Sequence, residues 1–207
     1  MTRVLIIGAT GPTGLRLVEE SLIRGHAVTV LARRPEALGT LRERVTVVQG
    51  DVLEPAVVAR AVTGTEAVLC ALGPDRDSPS TLCSQGTSLL LSAMETQGVR
   101  RLVCITGAMI GHPEKRLGWL YKLLRQAFRD TIHDRQIQEQ LILGSALDWT
   151  LVRPPRLSNG PARDIWRAGD DVRIGTMAHI GRADLARFMV QQLEDTSFIR
   201  RAVTVAY

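Results

Sequence analysis

The chain has almost no lysine. Of its 26 basic residues only Lys115 and Lys122 are lysines; the other 24 are arginines, spread along the chain and often beside an acid. Aromatic residues are also rare, at 4%, so no basic run carries the interleaved rings that track a nucleic-acid backbone. The formal charge of +5 reads instead as a solvated surface with a preference for anionic ligands, and no nucleic-acid partner is expected. Cys70, Cys83 and Cys104 are an odd set with no CxxC pair. Two of them, Cys70 and Cys104, sit in apolar runs where a buried, inert thiol is usual. Four scattered histidines (His26, His112, His133 and His179) show no metal-ligand spacing, so no metal is expected. No apolar run approaches the roughly 18 residues that a membrane span needs. No charged leader precedes the first apolar run. A soluble, cytoplasmic protein without a membrane partner is the expectation.

What the chain does have is concentrated at its start. A length of 207 residues with 45% hydrophobic composition suits one domain over 1–207 with a sizeable core. Val4, Leu5, Ile6 and Ile7 form an uninterrupted apolar run, as in a strand buried on both faces. Gly8, Ala9, Thr10, Gly11, Pro12, Thr13 and Gly14 follow as a turn with G-x-x-G-x-x-G spacing, and an amphipathic helix runs from Pro12 to about Arg24. In a strand–turn–helix setting each glycine has a physical task. Gly8 permits the tight turn, Gly11 lets backbone approach a pyrophosphate, and Gly14 lets helix and strand pack closely. The helix N-terminus adds unpaired N–H groups and a positive dipole end. A dinucleotide site is the reading that this context favours over a ligand-free turn.

The next strand, Ala27–Ala32, leads at once into Arg33 and Arg34. An acid about 20 residues past the glycines usually bonds a ribose 2′-hydroxyl, whereas arginine there suits a 2′-phosphate. Guanidinium groups give forked, charge-assisted bonds to phosphate. NADP(H) is therefore preferred over NAD(H), the alternative being two surface arginines that merely end a strand. Further strands are expected at 45–51, 66–73, 101–106 and 147–153, with a short one at 171–174 and a last one near 202–205. Helical segments are expected at 36–42, 55–62, 80–96, 117–128, 130–143 and 182–194. The alternation gives a doubly wound, mostly parallel sheet of six to seven strands with helices on both faces. Asp51 and Val52 fall at a strand's C-terminal end, where Asp51 either accepts from an adenine amino group, N-caps the next helix, or does both. The stretch Leu117 to Phe128 is core, substrate lid or subunit contact.

Five blocks carry a resemblance: GATGPTG from Gly8, VLARRPE from Val30, GDVLEP from Gly50, ALG from Ala71 and SALDWTLVRPPRL from Ser145. In this order, along nearly the whole chain, they resemble the atypical short-chain dehydrogenase/reductase superfamily. Within it they are most similar to the NAD(P)H-binding group that includes biliverdin reductase B, also called flavin reductase. The resemblance implies a Rossmann fold with strand order 3-2-1-4-5-6, often with a seventh strand. It implies pyrophosphate contacts from Gly8, Thr10, Gly11, Pro12, Thr13 and Gly14, and 2′-phosphate contacts from Arg33 and Arg34. Asp51 and Val52 would flank the adenine, Leu72 and Gly73 the ribose, and Thr106, Pro154 and Pro155 the nicotinamide. Substrate-pocket elements would lie in about 107–145 and 154–180.

The chain departs from the group's pattern where chemistry is done. The Tyr-x-x-x-Lys pair of ordinary dehydrogenases is absent; Tyr121 followed by Arg125 is a weak echo. Gly107 stands where the flavin-reductase-like members carry serine, leaving Thr106 as the nearest hydroxyl. Arg156 replaces the histidine after the double proline, and Arg135 aligns near the other pocket histidine, with His133 two residues away. Thr106, His133 and Tyr121 are thus the candidate catalytic groups. Arg156 and Arg135 are candidates to pair with a substrate carboxylate or phosphate, or else form surface ion pairs. The expected activity is NADPH-dependent hydride transfer to a small flavin, quinone or tetrapyrrole-like acceptor, by a monomer or homodimer. The alternative is an NmrA-like sensor or regulator that binds NADP(H) without turnover. A sugar-nucleotide epimerase fits less well, because it lacks its tyrosine base and little chain remains after Arg153.

Overall fold

The computed structural model describes residues 1–75, 77–111, 128–170, 172–175 and 177–207. The chain opens with β1 (Arg3–Ile7), α1 (Pro12–Ile23), β2 (Ala27–Ala32) and a 3-10 helix (Pro35–Arg44). The last is broken at Gly39, whose φ is +57°. Then come β3 (Thr46–Gln49), α2 (Pro55–Val62), β4 (Ala67–Cys70), α3 (Leu82–Thr96), β5 (Arg101–Ile105) and a single turn, α4 (Ala108–Gly111). The rest holds α5 (Arg129–Gly144), β6 (Asp148–Arg153), β7 (Arg156–Ser158), β8 (Arg167–Gly169), β9 (His179–Gly181), α6 (Arg182–Gln191) and β10 (Arg201–Ala206).

One sheet of eight strands runs in the order β3-β2-β1-β4-β5-β6-β10-β8. Every pairing in it is parallel except β8, which lies antiparallel to β10. A parallel sheet covered on both faces demands apolar residues on both, and all four residues of β4 are buried. Successive side chains point to opposite faces. Leu5, Ile7, Val68, Leu102 and Leu151 meet α2, α3 and α5 on one side. Val4, Ile6, Leu69, Val103 and Val152 meet α1 and α6 on the other. Each such buried side chain contributes about 1.5–3 kcal/mol.

The expected Rossmann order is present through β6, and two further strands, β10 and β8, widen the sheet to eight. The short strand expected at 171–174 lies instead at Arg167–Gly169, and residues 172–175 form no regular structure. Packing explains the shift. Trp166 and Ala168 both rest on the core, with Trp166 edge-on to Phe188 at 6.4 Å. Arg201 then clamps Asp170 at 2.7 Å, just past the strand's end. The stretch 117–128 lies outside the described residues, apart from Phe128, which is exposed at the start of α5.

The arrangement matters for function at one edge. The strand order reverses between β1 and β4: β2 and β3 are added on one side of β1 and β4 to β6 on the other, all parallel. Open α/β sheets bind ligands outside the strand carboxyl ends at such a switch point. The glycine turn after β1, Arg33 and Arg34 after β2, Leu72 after β4 and Thr106 after β5 all emerge there.

Candidate functional site: a dinucleotide cleft

The glycine turn is shaped by contacts that only hydrogen allows. A Cβ on Gly8, whose φ is +77°, would sit 2.5 Å from the carbonyl oxygen of Ala71. A Cβ on Gly14 would sit 2.0 Å from the carbonyl oxygen of Gly8. These two glycines let helix and strands close up. Gly11 differs: its nearest neighbour would be the Gly8 oxygen at 3.4 Å, with the remaining space open. Helix α1 then starts at Pro12 with Gly11 as N-cap and no side-chain cap. Pro12 has no N–H, and the first intrahelical bond is Leu15 N–H to the Gly11 carbonyl. Thr13 and Gly14 are left to present N–H groups at the positive end of the helix. A cradle that a methyl group would fill, walled by amides, fits a pyrophosphate.

The adenosine end is built by charge. Arg33 Nη2 and Arg34 Nη2 both donate to one oxygen of Asp75, at 2.7 and 3.1 Å. Arg33 Nη1 also faces Asp51 at 4.0 Å. Two guanidinium groups at the end of β2 therefore converge on a single oxyanion position. The Ser78 hydroxyl, followed by the nearby arginines, holds the Asp75 carboxyl below its usual range. Asp51 does not N-cap α2. Its Oδ1 accepts from Leu53 N–H at 2.9 Å, and the cap is Glu54 because helix α2 begins at Pro55. Beside it, Val52 and Leu72 are buried and close over Gly86, where a Cβ would lie 2.9 Å from Leu72 and 3.2 Å from Val52. That apolar floor suits the face of a purine.

At the far end, the termini of β5 and β6 are tied by Thr106 N–H to the Val152 carbonyl at 2.9 Å and Ala108 N–H to the Pro154 carbonyl at 3.0 Å. Here α5 contributes a buried polar stripe. Thr106 Oγ1 donates to Glu139 Oε1 at 2.5 Å. Arg153 grips the same carboxylate through Nε at 3.0 Å and Nη2 at 2.5 Å. The Glu139 side chain is only 4% exposed, so its charge depends on this bidentate partner. With its hydrogen donated to Glu139, the buried Thr106 hydroxyl has only lone pairs left for a further bond. Arg135 bonds the Leu72 carbonyl at 2.7 Å through Nη2, and through Nη1 the Ile105 carbonyl and Gln138, both at 2.9 Å.

Residues 8–196 match the model of a family described as NAD(P)H-binding. The chain belongs to this NAD(P)H-binding family. Among curated relatives, the photosystem II assembly factor Ycf39 of Synechocystis is 24% identical over 98% of this chain and 62% of its own length. The (4-alkanoyl-5-oxo-2,5-dihydrofuran-3-yl)methyl phosphate reductase of Streptomyces griseus is 32% identical over 73% of this chain and 46% of its own. The chain thus spans between about half and two thirds of the length of these relatives. Among solved structures, the anaerobillin reductase ChuY of Escherichia coli shares the fold with a TM-score of 0.83 at 20% identity, covering 99% of this chain and 96% of that one. The oxidoreductase ylbE of Lactococcus lactis does so with a TM-score of 0.83, also at 20% identity, covering 98% and 90%.

The glycine turn, Arg33, Arg34, Leu72 and Thr106 follow strand ends on one edge of the sheet, and the open backbone at Gly11 with the N–H groups of Thr13 and Gly14 is of a kind that fits phosphates. The structure does not bring His133 to Thr106. It is exposed beside Arg129, Asp130 and Gln136, because two residues along a helix is about 200° around it. Arg135 is not a surface ion pair, nor is it turned to a substrate: its Nη groups are bonded to strand-end carbonyls and Gln138. Arg156 is exposed on β7, next to the buried Pro154 and half-buried Pro155. Tyr121 lies outside the described residues. Among the described residues, nothing lies within 4 Å of where a Gly107 side chain would project. Three participants were not legible beforehand: Asp75, Glu139 and Arg153. For Glu139 a signal existed in its spacing from Arg135, which places both on the inward face of α5. All three cysteines are buried, and burial is the largest cause pushing the Cys83 thiol up to about 12. Among the described residues no His, Cys, Asp and Glu group is suited to a metal, and no helix is long and apolar enough to cross a membrane.

Proposed function

We propose that the protein is an NADPH-dependent reductase that delivers hydride to a small flavin, quinone or tetrapyrrole-like acceptor in the cytoplasm. The observation that carries this reading is the convergence of Arg33 and Arg34 on one oxyanion position at the end of β2. A 2′-phosphate, with about −1.5 to −2 charge near neutrality, matches two guanidiniums better than a ribose hydroxyl does. Membership of an NAD(P)H-binding family supports it, as do relatives whose names denote reductases. Bound cofactor would supply the hydride. The chain's own part is to hold the phosphates on the glycine turn, to shape the adenine floor, and to present Thr106 as an acceptor beside the reacting ring. An acceptor of this class takes its proton from solvent, so the lack of a Tyr-x-x-x-Lys pair is compatible with turnover. Arg156 then offers a cation to an acidic group on the acceptor. The test is oxidation of NADPH by purified protein across a panel of flavins, quinones and biliverdin, followed at 340 nm. Rates no higher than background on every acceptor would sink the reading.

A specific observation favours a second reading, an NADP(H)-binding regulatory protein without turnover. The Thr106 hydroxyl donates to Glu139 and Gly107 supplies no hydroxyl, so neither of these two residues at the strand end is a free proton donor. The photosystem II assembly factor among the relatives is in keeping with a non-enzymatic role. Tight NADPH binding with no turnover, together with a protein partner that co-purifies, distinguishes it.

A further inference from the structure

Asp75 lies where an anion held by both arginines would lie. Its Oδ2 takes a hydrogen bond from Arg33 and another from Arg34. Its other oxygen is fixed by the Ser78 hydroxyl at 2.5 Å and by Asp77 N–H at 3.2 Å. The Asp75 N–H returns a bond to Ser78 Oγ at 3.1 Å. This small turn leaves the sheet directly after Leu72, part of the adenine floor, with only Gly73 and Pro74 between. The carboxylate is thus anchored to the cleft and preset toward the arginines. It is not a freely swinging surface acid.

The charge balance follows. Among the described residues, two guanidiniums face two carboxylates, Asp75 and, at 4.0 Å, Asp51, so these four charges balance before any ligand arrives. An incoming 2′-phosphate must either displace Asp75 from both arginines or sit beside it against like-charge repulsion. A ribose with a free 2′-hydroxyl carries no charge there and has no need to displace anything.

We propose that Asp75 is a built-in competitor for the 2′-phosphate position and so a specificity-determining residue that moderates the preference for NADPH over NADH. The proposal rests on the reading that Arg33 and Arg34 take the 2′-phosphate. Exposed ion pairs of this kind each shift an equilibrium by a factor between about 1.5 and 5, so releasing two predicts a gain of roughly two- to 25-fold.

The experiment is fluorescence titration of wild type, Asp75→Asn, Ser78→Ala and Arg33→Ala with NADPH and NADH, and calorimetric titration with adenosine 2′,5′-bisphosphate, all at low ionic strength. Asp75→Asn is expected to tighten NADPH and the bisphosphate by about two- to 25-fold and to move NADH less than that. Ser78→Ala, which loosens the turn, should move both phosphorylated ligands the same way by a smaller factor. Unchanged or weaker NADPH binding by Asp75→Asn overturns the proposal. So does a matching loss for NADH, which would make Asp75 a ribose ligand. The reading beneath it fails separately: equal losses of NADPH and NADH in Arg33→Ala would remove the 2′-phosphate from this position altogether. If Arg33→Ala is selective for NADPH while Asp75→Asn is silent, only the competitor role is lost.

Discussion

Adding one methyl group at Gly14 or at Gly11 separates the two jobs of the glycine turn. At Gly14 the new Cβ would meet the Gly8 oxygen at 2.0 Å and Ala9 Cα at 2.7 Å. Both are backbone atoms, so relief requires helix α1 to move away from β1 by about 1 Å or more. Alanine's better helix propensity returns about 1 kcal/mol, whereas forced overpacking costs about 1–3 kcal/mol or more. Because α1 also packs on α6, we expect Gly14→Ala to be destabilised by about 2 kcal/mol and to bind cofactor poorly. At Gly11 the backbone is extended, with φ −75°, and the nearest contact would be an ordinary 3.4 Å. Stability should therefore change by less than about 1 kcal/mol. Cofactor affinity should still fall by at least about tenfold, because the methyl would occupy the cradle that the phosphates need. Urea denaturation gives the first quantity and NADPH fluorescence titration the second. A Gly14→Ala protein with wild-type midpoint, or a Gly11→Ala protein with undiminished NADPH affinity, would refute this account of the turn.

Other regions give equally direct tests. Glu139→Ala leaves the Arg153 guanidinium without its buried partner and should cost about 3–5 kcal/mol, read as a shift of the urea midpoint. Gly107→Ser places a hydroxyl where no described residue lies within 4 Å, so the fold should tolerate it; under the reductase reading, turnover of an acceptor that needs a proton should rise, measured as kcat at fixed NADPH. Burial raises the carboxyl of Asp184, but bonds from Tyr207, Arg163 N–H and Asp164 N–H more than offset this and leave it lowered from 3.8. A depressed carboxyl stabilises the fold above its unfolded pKa, and that contribution is lost as pH falls through the folded value. Asp184→Asn should therefore flatten the stability–pH curve below about pH 4, seen in thermal melts. His26 is lowered from 6.5, chiefly by burial. Protonation thus favours the unfolded chain, and a separate loss of stability should begin as pH drops below about 6.5 and disappear in His26→Gln.

Local chemistry made much of this molecule readable from its residues. The run Val4–Ile7, the glycine turn, Gly25 in the left-handed region with φ +75° and Pro55 opening α2 are all signals carried by neighbours in sequence. They placed β1, β2 and α2 to within a residue. Strand β8 escaped because three residues offer too short an alternation; its place is fixed by Trp166 and Ala168 meeting a core assembled elsewhere. The site divides in the same way. Arg33 and Arg34 announced themselves as the residues that directly follow a strand. Asp75 is 41 and 42 residues away from them, and Glu139 reaches Thr106 across 33. Such pairings are set by topology: Asp75 has no local signature, and the spacing of Glu139 from Arg135 marks its helix face but not its partner. The N-cap alternative for Asp51 fails for a local reason: Pro55 fixes the helix start four residues later, with Glu54 as the cap.

Arg135 bonds strand-end carbonyls of β4 and β5 at once, and this has a mechanical consequence. Helix α5 cannot slide toward or away from a bound acceptor without pulling on two central strands and, with them, on the cofactor's resting place. Adjustment to acceptors of different shape then falls to parts that hang outside the main sheet, such as the two-stranded β7–β9 ladder that carries Arg156. Under the reductase reading, the molecule divides into a main sheet that fixes the donor and a separate small ladder, docked on the core through Ile180, that faces the acceptor. Over evolutionary time the ladder can change what is recognised while the main sheet stays as it is.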